Sequence, residues 1–421
     1  FLDSEELNHL MAQALEHNFD LQILSARIDQ ARAAEAKSAA ALFPTLNFSA
    51  GGQRKGTQVK SSAGSSSRYD GSHSWNSALS GDYTADIWGE ADADRKVQAL
   101  GHQAAQQDLR ATTLEITVRI AEAWVDIIAA RSRHQILERQ VETNKTLLEL
   151  LKLRFVNGRA SALEVSQQQE ALAEARAQLP LIEKQERLLL NQLALLTGKP
   201  GILPLQIQTR DLSETTSLPK TGYPSDLLQN RPDIQAAQLR LAATQWDITA
   251  AKADLLPSFA LTAQALFSSG KLDLLFHNWV ATLAGSIAGP LFDGGLRRAE
   301  VDRLEAVARE RLSQYAAAVA GAVLEVETAL ISIQKQDEYI RLLKEELTVA
   351  RIALKDARVQ HQNGQSSYLN YLVIWSGIQR LERQLVSESA SAVKERIRLQ
   401  AALGWQPVFS EHINENAEPQ S

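Results

Sequence analysis

Apolar positions recur along this chain with two different periods, and the switch between them divides it into elements. From Leu109 to Phe155 they alternate four and three residues apart: Leu109, Ile116, Ile120, Ala123, Ile127, Ala130, Leu137, Val141, Leu148, Leu151 and Phe155, with Thr113, His134 and Asn144 out of pattern. This is the heptad seam of a coiled coil. Val319, Val323, Val326, Leu330, Ile333, Ile340 and Leu347 repeat it, interrupted by Asp337 and Lys344. Proline, which would break a helix, is absent from Thr45 to Leu179 and from Leu291 to Gln406. Helices are therefore predicted at 18–43, 90–155, 160–197, 232–256, 295–361 and 366–404. Each of the two long ones would span roughly 100 Å at about 1.5 Å per residue. In each half the two shorter helices together nearly match the long one, so they can stack end to end beside it.

Period two takes over between the helices. Leu46, Phe48 and Ala50 alternate with Asn47, Ser49 and Gly51; Trp75, Leu79, Tyr83, Ala85 and Ile87 alternate with Asn76, Ser80, Asp82 and Thr84. Phe259, Leu261, Ala263, Ala265 and Phe267, with a return run of Trp279, Leu283, Ile287 and Leu291, repeat the hairpin; Asn278, Thr282 and Ser286 form its other face. Trp75 and Trp88 stand 13 residues apart. On a strand tilted by about 45° that covers roughly 30 Å, near the height of a lipid-facing band with aromatic girdles. Trp75, Trp88 and Trp279 are thus expected to form a lipid-facing girdle. The Ser- and Gly-rich link from Gly56 to Ser74 predicts a long solvated outer loop.

The two halves are related. A shift of 213 places Asp20, Gln22, Arg27, Ala40, Leu42, Pro44 and Ala50 on Asp233, Gln235, Arg240, Ala253, Leu255, Pro257 and Ala263, and Asn157-Gly158 recurs as Asn363-Gly364 at a shift of 206. Residues 1–213 read as a first structural repeat, with its hairpin at about 45–88, and 214–404 as a second, with its hairpin at about 257–291. A polar tail covers 405–421; spatially, a β-barrel domain, an α-helical tunnel domain and an equatorial region of about 198–230 and 405–421 are expected. Asn157-Gly158 suits a left-handed helix end, and Ser161 with Glu164 forms an S-x-x-E capping box. The second tip has Ser366 or Ser367 as N-cap and Asn370 in place of the Glu.

Composition mainly excludes. With a net charge of −6 there is no basic footprint for nucleic acid. No cysteine occurs, so a disulfide framework and thiol chemistry are ruled out. The eight histidines have no H-x-x-x-H spacing, Gly294-Gly295 belongs to no phosphate-binding signature, and neither a metal, a cofactor nor a catalytic triad is signalled. There is no run of about 18 apolar residues, which argues against a transmembrane helix. A barrel escapes that objection. Four strands cannot close one alone, since open edges are not tolerated in lipid, so copies must combine. Two would supply eight strands, three twelve and four sixteen. Beginning at Phe1 with no signal-peptide pattern, the chain is expected to be a mature or trimmed product.

The motifs NRPDI (Asn230–Ile234), LLPSF (Leu255–Phe259), YTADIWG (Tyr83–Gly89) and PLFDGGLRR (Pro290–Arg298) resemble those of the TolC-like outer membrane factors, in the branch serving tripartite multidrug pumps. NRPDI also has a purely structural reading, with Pro232 in a first helical turn and Asp233 at the helix dipole. The resemblance implies a mixed α+β membrane protein: a homotrimeric twelve-stranded β-barrel continuous with a long α-helical coiled-coil barrel, in the outer membrane of a Gram-negative bacterium, with a large periplasmic portion. It implies an efflux channel for small toxic compounds rather than an enzyme, with a periplasmic adaptor (membrane fusion protein), an inner membrane transporter and outer membrane lipid as partners. The tips, Asn157, Gly158, Arg159, Asn363 and Gly364, become candidate adaptor contacts. Related proteins carry constricting Asp rings just beyond the second tip; here Asn370 and Val373 stand there, beside Leu369, so a gate closed by apolar packing is expected. Many relatives are lipidated on an N-terminal Cys, absent here, so lipidation is left open. A type I secretion duct, a soluble pore-forming toxin and a periplasmic adaptor are the alternatives; the last two do not account for duplicated, lipid-length amphipathic hairpins.

Overall fold

The computed structural model describes residues 4–60, 67–201, 207 and 229–404. The tail at 405–421 and most of the equatorial segment at 198–230 lie outside the described residues. The elements are α1 (Glu5–His17), α2 (Phe19–Ala40), β1 (Thr45–Lys60), β2 (Ser67–Ala85), α3 (Glu90–Val156), α4 (Ala162–Leu196), α5 (Pro232–Ala253), β3 (Ser258–Ser269), β4 (Trp279–Ala288), α6 (Leu296–Gln362) and α7 (Tyr368–Ala402).

The internal repetition is metrical. Helices α2 and α5 are both 22 residues long, α3 and α6 both 67, and α4 and α7 both 35. The predicted helix ends were displaced by at most three residues, but α1 was not anticipated. Its signals are present: Ser4 accepts from the Leu7 amide as N-cap, and Leu7, Leu10, Met11 and Ala14 form a buried stripe. Asn18 separates α1 from α2. Its own amide donates to the Ala14 carbonyl, ending α1, while its side chain accepts from the Asp20 and Leu21 amides, starting α2.

The chain forms two compact units, residues 1–25, 107–235 and 317–421 in one and 26–106 and 236–316 in the other. The core of the first gathers Leu7, Ile116, Ile120, Ile127, Leu193 and Ile397, so the middle of the predicted α3 seam is buried, whereas Phe155 at its end is exposed. In α6, Ile333 and Leu347 are buried, whereas Val326 and Leu330 are packed only against the edge of a smaller cluster. Helix α6 also contains the one stretch among the described residues long and apolar enough to cross a membrane by length and composition. The expectation of none rested on unbroken apolar runs, and at 67 residues α6 far exceeds the ~20 that a span requires.

The second unit holds a four-stranded antiparallel sheet of order β1-β2-β3-β4. Strands β1 and β2 pair from Thr45↔Asp82 to Lys60↔Ser67, so the predicted loop at 56–74 is largely strand; only 61–66 falls outside the description. Its Ser and Gly misled because β structure here is set by cross-strand pairing, not propensity. Residues of α2 and α3 in the same unit are joined by His102 Nδ1 and Glu35 Oε2 at 2.8 Å, and Lys96 of α3 sits 3.9 Å over the Trp246 ring of α5.

Candidate duct lining, helix caps and hairpin tips

Register fixes what each sheet face presents. Phe48 pairs with Leu79, Leu79 with Ala265, and Ala265 with Ala281, while Tyr83 pairs with Leu261 and Ala85 with Phe259, which in turn meets Ile287. The apolar sets predicted for the four strands therefore fall on one face, except Ile87 and Leu291, which lie beyond the ends of β2 and β4. Asn47, Ser49, Asn76, Ser80, Asp82, Thr84, Thr262, Gln264, Thr282 and Ser286 fall on the other. Leu46, Phe48, Leu283 and Ile287 are all more than two-thirds exposed in the isolated chain. An apolar face of this extent is unfavourable in water and suited to lipid.

The three tryptophans expected to form a girdle divide. Trp75 and Trp279 lie on the apolar face, toward the β3–β4 turn, where Trp279 opposes Phe267 and Trp75 opposes Gly52. A Cβ on Gly52 would come within 2.5 Å of the Trp75 ring, so the indole packs directly on that bare backbone. Trp88 is not on a strand. It follows the end of β2, its indole N–H donates to the Pro257 carbonyl at 2.7 Å, and its ring lies 6.4 Å from that of Phe259.

Two of the recognised motifs prove to be the same physical device. In YTADIWG the Asp86 carboxylate accepts from the Ala91 and Asp92 amides at the start of α3. In PLFDGGLRR Asp293 accepts from the Gly295 and Arg297 amides at the start of α6, and these bonds, the one from Gly295 foremost, hold its carboxyl below the usual range. Each anion satisfies orphan N–H groups and meets the positive end of a long helix. Around Asp86, burial pushes the Glu90 carboxyl up, reinforced by Asp254, Asp94 and Asp86; burial and Asp86 raise Asp94 as well. NRPDI is structural too. Buried Arg231 donates to Asp233 (2.7 Å), Glu325 (2.6 Å) and the Ala402 carbonyl (3.1 Å), joining the start of α5 to α6 and to the end of α7.

At the tips the sequence specifies the backbone. Gly158 has φ 69° and Gly364 φ 72°; the Gly158 amide reaches the Phe155 carbonyl and that of Arg159 the Arg154 carbonyl, with the same pair repeated by Gly364 and Gln365. These are Schellman ends. Asn157 and Arg159 stand on either side of the first glycine and Asn363 precedes the second. Ser161 and Glu164 complete the predicted reciprocal capping box. Ser367 is the second N-cap but makes no side-chain bond, and Asn370 donates to Ser366 Oγ at 3.1 Å.

Leu369 and Val373 are one turn apart on α7 and are 47% and 61% exposed. The opposite side of that turn is anchored. The Tyr368 hydroxyl donates to Gln168 Oε1 at 2.6 Å, Gln168 donates to the Asn144 carbonyl at 2.9 Å, and Trp375 donates to Asn144 Oδ1 at 3.1 Å. Gln168 is fully buried, and burial raises the Tyr368 hydroxyl well above its ordinary pKa. This network was not foreseen, although Asn144 was one of three residues breaking the α3 seam. Among the described residues no group of three or more His, Cys, Asp or Glu could hold a metal ion.

Residues 10–199 and 223–405 match the model of the family described as outer membrane efflux protein. The chain is 32% identical over 405 residues to the pyoverdine export outer membrane protein OpmQ of Pseudomonas aeruginosa, covering 95% of this chain and 84% of that one. It is 27% identical to the toluene efflux pump outer membrane protein TtgF of Pseudomonas putida, covering 98% and 86%. Among solved structures, the outer membrane protein VceC of Vibrio cholerae superposes with a TM-score of 0.85 at 25% identity, covering 95% of this chain and 97% of that one. Proteins of this family are channels, not enzymes. The fold is that of trimeric channels in which four strands per protomer make a twelve-stranded barrel alongside a helical coiled-coil barrel. The chain belongs to the outer membrane efflux protein family and is an efflux channel of the outer membrane with a large periplasmic part.

Proposed function

We propose that this channel is the exit duct of a tripartite pump, carrying small toxic compounds through a bore lined by the polar sheet face and closed at the helical tips. It performs no bond chemistry. A periplasmic adaptor docks at Asn157, Gly158, Arg159, Asn363 and Gly364, and an inner membrane transporter supplies energy and most of the selectivity. Trp75 and Trp279 anchor the apolar sheet face at the edge of the lipid, with Trp88 below them. Small organic cargo accords with the relatives named for pyoverdine export and toluene efflux.

One observation carries the gate. Leu369 and Val373 are left exposed by their own chain on the turn whose other side is held by Gln168. With Asn370 between them and no carboxylate, three copies would close by apolar contact, without a cation-dependent block. The test is single-channel conductance of the detergent-purified oligomer in planar bilayers, its mass measured by light scattering. Trimers with small, mostly closed conductance that rises several-fold in Leu369→Ala or Val373→Asp support the reading. Conductance unchanged in both variants contradicts the gate, and a monomer without channel activity contradicts the duct.

A further inference from the structure

The polar sheet face is nearly free of charge. Between Thr45 and Gln53 on β1, Asn76 and Thr84 on β2, and along all of β3 and β4, its side chains are amides, hydroxyls, apolar groups of which Leu266 and Val280 are the largest, and one carboxylate, Asp82. The nearest described side chain of opposite sign on that face is Lys55, which pairs with Ser72, ten residues away along β2. At about 3.3 Å per residue this is roughly 33 Å. Asp82 has no ion-pair partner among the described residues. Thr262 on the neighbouring strand donates to its Oδ1 at 3.2 Å, and Thr45 Oγ1 donates to its backbone carbonyl at 3.4 Å.

Folding does not account for the charge. Asp is a poor strand former, and the Thr262 hydroxyl would donate equally well to an Asn side-chain oxygen. We infer that Asp82 is a charge-selectivity residue of the bore, favouring cationic and zwitterionic solutes over anions where the duct crosses the outer membrane. The inference rests on the duct reading, in which the polar face surrounds the lumen. Three-fold assembly then places three Asp82 carboxylates at one level of a single bore, each oriented by a Thr262. Low-dielectric barrel walls concentrate their field on the solution between them, and added salt screens it. The described tip has Asn370 and Val373 and presents no carboxylate at those positions, so Asp82 acts independently of the gate.

The chain has no cysteine, which allows a direct test. Thr84 lies two residues from Asp82 on the same face, and Leu261 lies on the apolar face. Single-cysteine Thr84→Cys trimers in proteoliposomes are treated with cationic and anionic methanethiosulfonates of matched size, which enter from the barrel mouth and need no open gate. The expected cation-to-anion rate ratio, relative to a free thiol, is about tenfold at low salt. It should shrink with salt, fall several-fold in Asp82→Asn toward the level set by the Asp86, Glu90, Asp94 and Asp254 carboxylates that share a pocket with Thr84, and fall further in Asp82→Lys. Any effect of Asp82 on thiol ionisation slows both reagents equally and cancels in the ratio. An unchanged ratio in Asp82→Asn overturns the inference while leaving the duct intact. A Thr84→Cys thiol that neither reagent reaches also overturns it, and if Leu261→Cys reacts in its place the duct reading falls as well.

Discussion

Each helical hairpin has two ends built from the same local backbone and set in opposite surroundings. At the tip of the first, Gly158 (φ 69°) has nothing within 4 Å of where a Cβ would stand; at its base, Gly198 (φ 71°) would place a Cβ 2.1 Å from the His17 carbonyl oxygen. Both glycines terminate a helix with a Schellman pair, Gly198 bonding the Leu195 carbonyl and Lys199 that of Ala194. Nearby, buried Asn18 donates to the Leu196 carbonyl at 2.8 Å. The tip is stopped but left open, whereas the base is stopped and locked to the α1–α2 junction. One sequence signal can therefore serve either a surface meant for partners or a joint meant to hold.

The sharpest way to break this comparison is to add one methyl group at each glycine. Gly158→Ala meets only the intrinsic strain of a left-handed residue, about 1 kcal/mol, and leaves trimer yield unchanged. Gly198→Ala adds a collision with rigid backbone and should cost more than about 3 kcal/mol, seen as a lower denaturant midpoint by far-UV circular dichroism and poor trimer recovery. Equal costs at the two sites would show that the packed base has no special role.

A smaller effect locates where the holding region ends. Gln168 lies ten residues beyond Gly158, already fully buried, and ties α3 to α7 through Asn144 and Tyr368. Gln168→Leu strands the Tyr368 hydroxyl and should lower stability by about 2 kcal/mol; Tyr368→Phe in that background restores part of the loss, since an unmet buried donor costs more than an absent one. A double-mutant cycle on the unfolding midpoint checks this. Strict additivity would mean that the bond contributes nothing.

The contrast also explains which features could be read in the sequence. Periodicity depends on side chains meeting a core or lipid, so the α3 seam, the two-faced strands and the helix ends at Asn157-Gly158 and Asn363-Gly364 were all readable. Asp86, Asp293 and Arg231 lay in recognisable motifs; the two caps act within six residues, whereas the Arg231 tie depends on Glu325 and Ala402, distant in sequence. The extension of β1 and β2 through Lys55 and Gly71 had no compositional signal, because pairing across the hairpin overrode the weak strand preference of Gly and Ser. Asn144 stood out of pattern in the α3 seam, and nothing in the sequence singled out Gln168. Only the approach of α7 turns them into a satisfied network.

The mildest test of the comparison is acidification, because the base of the second hairpin uses a charged tie where Asn370 at its tip uses a neutral amide. Burial alone would raise the Asp233 carboxyl, but the hydrogen bonds and charge of Arg231 more than offset it and bring it below the ordinary value. A carboxyl depressed in the folded state contributes stability that is complete above its unfolded pKa and is lost as pH falls through the folded one. Asp233→Asn should therefore lower the unfolding midpoint at pH 7, and the gap from the parent should close in acid below the ordinary carboxylate range. Asn370→Ala at the second tip, where the side chain donates to the Ser366 hydroxyl, should change the midpoint little, and equally at every pH. A gap for Asp233→Asn that stays constant into acid would mean that the Arg231 tie holds by shape and not by charge.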